Sequence, residues 1–273
     1  MGWILKVSGY GKIESAEVEM APLTLFVGDN NSGKSYLMFL LWGIRNLGME
    51  ILFHRGNESA TEAENRLQCW IKEQVKAARE QGKQTVQASE IGKDLQIVLQ
   101  DRINQNKERF VNAVFNSSDV ELNALQLELT GLANVSLVFG FERFGEEAGV
   151  ALSRKGENGI GLHLNEKEQK TGILEEDSCR FFVDRLFAVV LNGCGEMINS
   201  EIYFPAARTG FMSTKDVINK AGRRVAFNVI TEQEAVTPFV RPVNQFLDVI
   251  NDLTIDGRGS KNFAEVINIW RAG

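Results

Sequence analysis

With 273 residues, 44% of them apolar and 24% charged, the chain has the length of one large domain or two small ones and the make-up of a protein that buries a core without staples. A formal charge of −6 argues against a surface that coats nucleic acid by charge alone, while leaving room for a local basic patch. Cys69, Cys179 and Cys194 form no CxxC pair and have no histidine close by, so neither a disulfide framework nor a zinc site is suggested and the thiols read as reduced and buried.

The opening Met1-Gly2-Trp3-Ile4-Leu5-Lys6 lacks the basic-then-apolar layout of a secretion signal. No apolar run approaches the roughly 18 residues of a membrane span. The expectation is a soluble, cytoplasmic protein with no membrane association.

Trp3 to Val7 and Ile13 to Met20 alternate in character on either side of Ser8-Gly9-Tyr10-Gly11-Lys12, which predicts an antiparallel hairpin forming a small edge sheet. Leu23-Thr24-Leu25-Phe26-Val27 is short, apolar and β-rich, the pattern of a strand buried on both faces in a parallel sheet. It runs directly into Gly28. Beyond the glycine-containing loop, Leu37, Leu40, Leu41, Ile44 and Leu47 recur at helical spacing, and Gly48 is placed to stop that helix.

From about Asn57 to Asn116 the composition turns polar. Thr61 and Glu64 have capping-box spacing, and Leu67, Ile71, Val75 and Ala78 make one apolar stripe. Ile91, Leu95, Leu99 and Ile103 make a second. The two stripes predict amphipathic helices separated near Gly82, an insertion at about 50–118 read as a packed helical hairpin, with a partner-binding arm as the alternative. Leu125–Leu129, Val135–Phe141, Val150–Ser153 and Ile160–Leu164 predict further antiparallel strands. Cys179 to Leu191 returns to helical period, Ile202-Tyr203-Phe204 reads as a strand closed by Pro205, and helices are expected over Val217–Ala226 and Phe239–Leu253.

The segment Gly28-Asp29-Asn30-Asn31-Ser32-Gly33-Lys34-Ser35 fits the P-loop template GxxxxGK[ST] at every fixed position. Chance would supply such a match in a chain this long about one time in a hundred, and the strand before it and helix after it make chance rarer still. Each position has a physical role. Gly28 and Gly33 let backbone approach phosphate oxygens without a Cβ in the way, and successive amides at the positive end of the helix face the phosphates. Lys34 brings a point charge to the terminal phosphates, and the Ser35 hydroxyl is the expected Mg²⁺ ligand. Asn30, Asn31 and Ser32 occupy turn-favouring positions along the nucleotide. The ligand expected is ATP with Mg²⁺.

Hydrolysis needs a carboxylate that holds the metal ion. The nearest match to an apolar strand ending in an acid is Phe181-Phe182-Val183-Asp184, which however lies inside a helical-period stretch. Asn219-Lys220-Ala221-Gly222 begins like a guanine-reading segment and fails at its acid, which speaks against GTP. Arg208 follows a strand end, where ligands gather in open α/β sheets, and is a candidate phosphate or acidic-partner contact; a salt bridge tying its loop down is the alternative. Lys215, Lys220, Arg223 and Arg224 form a basic run read first as a solvated helix face and second as a DNA contact. His54 and His163 stand apart from any triad or metal spacing.

The hairpin leading into PLTLFVGDNNSGKS resembles the amino-terminal lobe of the ABC-type ATPases of the RecF, SMC and OLD group. IYFPAARTGF, Ile202 to Phe211, resembles the strand-plus-arginine segment of AAA-type ATPases in that group, several of which belong to bacterial antiphage defence modules. The resemblance implies an α/β P-loop NTPase fold of the ABC ATPase type, with antiparallel β segments and the helical insertion, in a single unit over 1–273. It also implies a homodimer or higher homo-oligomer that sandwiches ATP between subunits, a nuclease or effector partner, and DNA as a target. The serine-glycine signature and the strand ending in paired acids are not recognisable before Gly273, and the tail FAEVINIWRAG resembles the region just ahead of them. The chain therefore reads as having an incomplete carboxyl-terminal lobe. A nucleotide-responsive binding module without turnover is the alternative function, and a phosphotransferase using the same loop is a third.

Overall fold

The computed structural model describes residues 2–20, 24–29, 32–55, 59–144, 147–156, 159–171, 173–192, 202–203 and 239–255. Gly2–Tyr10 (β1) and Ile13–Glu19 (β2) form the expected hairpin, closed by the two-residue turn Gly11-Lys12, where Gly11 supplies the positive φ of +57° that this turn needs. β1 is not an edge. On its other side it pairs antiparallel with Leu122–Thr130 (β4), giving the order β2-β1-β4. Period-two alternation sets the register: Trp3, Leu5 and Val7 stand opposite Leu129, Leu127 and Leu125 on the inner face. On the outer face the Lys6 ammonium lies 2.8 Å from the Glu128 carboxylate.

A second antiparallel sheet has the order β3-β5-β6-β7, from Lys83–Gln87, Ser136–Phe144, Glu147–Arg154 and Ile160–His163. β3 is an addition to the sequence reading. Its one buried apolar side chain, Val86, is too few to show a period, and the ladder to β5 rather than any stripe holds it in place. Every strand pair among the described residues is antiparallel.

The described helices are α1 (Lys34–Leu47), α2 (Glu62–Gln81), α3 (Gly92–Phe115), α4 (Glu166–Thr171), α5 (Glu176–Asn192) and α6 (Arg241–Ile255). The fold class is thus mixed α/β with antiparallel sheets and six α-helices among the described residues. Both predicted stripes of the polar stretch are buried, and α2 and α3 pack on one another, as a helical hairpin requires. Between them, Gly82 ends α2 at φ +76° and β3 intervenes. α3 lies on β4, while α2 packs on β3 and β5, and α5 on β6, so the helical pair sits between the two sheets. α1 crosses α3 closely at Gly43, where a Cβ would stand 2.4 Å from Val114. α6 packs against α1 and α3, with Trp42 donating through Nε1 to Gln245 at 2.8 Å.

Several expectations are corrected. Thr24–Asp29 has no regular secondary structure, and Leu25 and Val27 are 80% and 84% exposed, so the strand buried on both faces is absent there; Leu23 lies outside the described residues. The alternation survives on one side only, because Phe26 alone packs against the core. Gly48 does not stop the first helix. A π-helical turn, Gly48–Leu52, continues it, and Gly48 is small because the Phe53 ring would lie 2.7 Å from a Cβ. Cys69 is exposed on α2 rather than buried, whereas Cys179 is buried; Cys194 lies outside the described residues. Ile202 and Tyr203 have no regular secondary structure, and the expected helix over 217–226 and the tail 263–273 lie outside the described residues. No described helix is long and apolar enough to cross a membrane.

Candidate functional site

Three parts of the chain converge at the amino end of α1: the hairpin, the loop ahead of the helix, and Tyr203. The loop turns through a Ser32 N–H donated to the Asp29 carbonyl at 3.3 Å, and Gly33 enters α1 in the left-handed region at φ +91°. A side chain there would be strained, and its Cβ would stand 2.7 Å from Ile13 Cγ1 of the hairpin. Gly28 is less crowded, its Cβ position lying 3.2 Å from Ser32 Oγ.

Lys34 folds back over this loop. Its ammonium donates to the carbonyl oxygens of Gly28 (2.7 Å) and Asp29 (2.5 Å) and to Ser32 Oγ (3.1 Å). The described residues Gly28, Asp29 and Ser32 thus gather around the lysine, whose charge is held by neutral oxygens. The first helical hydrogen bond, from Leu37 N–H to Gly33 O, leaves the amides of Lys34, Ser35 and Tyr36 without an intrahelical acceptor. The helix starts with no side-chain cap and no acid in its first turn. Its positive end is uncompensated, which favours an anion there. Asn30, Asn31 and Arg208 lie outside the described residues, as do Lys215, Lys220, Arg223 and Arg224.

Beneath the first turn runs a chain of aromatic contacts. Tyr36 meets Tyr10 edge-on at 5.5 Å and leans on Phe115 at 5.3 Å; Phe39 meets Phe115 at 5.8 Å and Tyr203 at 4.9 Å. Tyr203 is buried, which pushes its hydroxyl above the usual phenol range, while a hydrogen bond with the Ser35 side chain partly offsets this. Sequence reasoning missed Tyr203. The signal available was the i, i+3 aromatic pair Tyr36 and Phe39 on the first turn, which needs an apolar partner to cover it.

On the other side of Tyr36 a cleft of about 330 Å³ opens between the hairpin tip and the start of β4, lined by Gly9, Gly11, Asp119, Glu121 and Asn123. Its two carboxylates oppose a polyphosphate. The loop, not the cleft, has the chemistry for phosphate.

The far end of α1 is clamped as firmly as its start is open. The buried Arg102 of α3 donates to the Phe53 carbonyl (2.7 Å), to Glu64 of α2 (3.0 Å) and to Asp184 of α5, and lies over the Phe187 ring at 5.1 Å. Arg55 comes within 3.6 Å of the same Glu64 oxygen. Thr61 accepts from Glu64 N–H at 3.2 Å, but the Glu64 carboxylate is taken by Arg102, so only half of the expected capping box forms. Asp184 sits on α5, as the helical period around it predicts, and belongs to this ion-pair cluster. Among the described residues no group of three or more His, Cys, Asp or Glu could hold a metal ion.

No family model, no curated protein and no solved structure matches the chain.

Proposed function

We propose that the chain binds ATP with Mg²⁺ through the loop Gly28–Ser35, as the P-loop of an ABC-type ATPase module of the RecF, SMC and OLD kind. The observation that carries this reading is the Lys34 ammonium held by three neutral loop oxygens at the uncapped start of α1. A polyphosphate exchanges those weak partners for charged ones, while the amides of Lys34, Ser35 and Tyr36 donate to its oxygens. Asn30 and Asn31 continue the cradle on sequence grounds, and Arg208 adds a cation to the terminal phosphate.

The Ser35 hydroxyl is exposed on the first turn, beside the loop, and a neutral oxygen there suits a hard cation. Bound Mg²⁺ would neutralise charge on the outer phosphates. Nucleotide-dependent association into a homodimer, a nuclease or effector partner, contact with DNA, a cytoplasmic location and a place in antiphage defence belong to the same proposal through the resemblance.

A second reading, a nucleotide-responsive binding module without turnover, draws on the engagement of Asp184 by Arg102. Calorimetric titration of the protein with Mg·ATP tests the first step: binding that Lys34→Ala weakens at least tenfold supports the P-loop reading, and unchanged affinity ends it. Steady phosphate release abolished by the same substitution selects the ATPase over the silent module.

A further inference from the structure

The cleft beside Tyr36 is assembled where three elements meet in close contact. Gly9 and Gly11 of the hairpin tip form one wall, and each lets a neighbour in: a Cβ at Gly9 would stand 2.1 Å from Asn123 Nδ2, and one at Gly11 would stand 2.6 Å from Tyr36 Cε1. The Tyr36 ring is a second wall, braced by Tyr10 at 5.5 Å and Phe115 at 5.3 Å. Asp119 and Glu121, in the segment between α3 and β4, and Asn123 on β4 complete it. The Asp119 N–H donates to Ser117 Oγ at 3.1 Å, and Lys107 Nζ donates to the Asn123 carbonyl at 2.5 Å, so this side is fixed from α3 and the turn that follows it. Both carboxylates are exposed, and among the described residues neither is held in an ion pair.

We propose that this cleft binds the ribose of the nucleotide, with the Asp119 and Glu121 carboxylates accepting from its 2′ and 3′ hydroxyls. The inference rests on the P-loop reading and places the sugar that reading leaves unplaced. Position and chemistry both carry it. Tyr36 belongs to both places, since its amide is one of the three without an intrahelical acceptor at the start of α1 and its ring lines the cleft. Lys34 serves the terminal phosphates in a P-loop, so the residue two further along α1 stands toward the nucleoside end. The volume of about 330 Å³ falls within the range of small-ligand sites, about 300–1,000 Å³. Carboxylates are acceptors only; they repel phosphate but pair with the neutral donors of a sugar through charge-assisted hydrogen bonds. An acid that takes a ribose hydroxyl recurs in dinucleotide sites of a different architecture. The cleft discriminates among nucleotides that the loop already anchors by their phosphates, and adenosine, which lacks that anchor, is not retained.

Calorimetric titrations in Mg²⁺ test this with three ligands, ATP, 2′,3′-dideoxy-ATP and inorganic tripolyphosphate, on the wild type and on a double variant, Asp119→Ala with Glu121→Ala. The wild type is expected to bind ATP at least tenfold more tightly than 2′,3′-dideoxy-ATP. In the double variant that ratio should fall to within about twofold, while tripolyphosphate binds no more weakly than to the wild type, which also shows that the variant's fold and loop are intact. Any general gain in anion affinity from removing two negative charges cancels in the ratio of the two nucleotides. Equal affinity of the wild type for ATP and 2′,3′-dideoxy-ATP, or discrimination retained by the double variant, overturns the ribose site and, with ATP and tripolyphosphate still bound, leaves the P-loop reading standing. Absence of binding by both ATP and tripolyphosphate to the wild type overturns both.

Discussion

The Lys34 ammonium donates to the Gly28 carbonyl oxygen at 2.7 Å, closing the loop on its own first glycine. Three oxygens at 2.5 to 3.1 Å suit the compact, rotatable ammonium of lysine and not a planar guanidinium. Lys34→Arg, which keeps the charge, is therefore expected to weaken ATP binding at least tenfold, about 1.4 kcal/mol, in calorimetric titration. Affinity equal to the wild type would mean that charge alone matters and that the three-oxygen geometry does not.

Gly33 makes a second expectation. A Cβ there must adopt φ +91° and stand 2.7 Å from Ile13 Cγ1. Gly33→Ala should lower unfolding free energy by about 1–3 kcal/mol in urea melts and abolish nucleotide binding. Adding Ile13→Ala removes the clash but not the strained φ, so stability relative to Ile13→Ala alone should still fall. A loss within about 0.5 kcal/mol for the single variant would contradict the left-handed entry into α1.

Arg102 binds three elements at once. Arg102→Met leaves the Glu64 carboxylate buried with Arg55 at 3.6 Å as its remaining partner, and should cost about 3–5 kcal/mol in the same melts. Arg102→Met combined with Glu64→Gln should recover a substantial part of that cost, since the orphaned charge is gone. Strictly additive losses would show that the two do not act as a pair.

Burial pushes the Cys179 thiol up to about 11 from an ordinary value of 9.0. Below pH 9 the thiol is neutral whether the chain is folded or not, and its contribution is intact. As pH climbs from 9 to 11 the unfolded chain sheds a proton that the folded chain keeps, so stability falls by on the order of 2 kcal/mol. Cys179→Ala should flatten this part of the stability curve. Parallel curves for the two proteins would rule the thiol out as the cause. In mass-spectrometric mapping at pH 8, iodoacetamide should label the exposed Cys69 and spare Cys179 in the folded protein.

Much of the helical layer was legible because its apolar residues repeat at three and four: every residue of the stripes from Leu67 to Ala78 and from Ile91 to Ile103 is buried. The hairpin was legible for the same reason at period two. Leu25 and Val27 were not, because their β-rich character matches a buried strand whether or not partners flank it, and sequence carries no record of the partner. Cys69 misled through composition: cysteine is usually buried, but Cys69 lies two residues after Leu67 on α2, on the face away from the stripe. At the loop, the motif named the glycines and Lys34 while leaving out what braces them. Ile13 against Gly33, and Tyr203 against Phe39, are contacts between residues far apart in the chain, and no local pattern encodes them.

Amide NMR during titration with pyrophosphate, ATP and adenosine tests the central claim most directly. Main-chain amides at the start of α1 should grip the phosphates, so the signals of Gly33, Lys34, Ser35 and Tyr36 should shift with pyrophosphate and with ATP and stay in place with adenosine. Shifts that spare those four amides while ATP binds elsewhere would contradict the account.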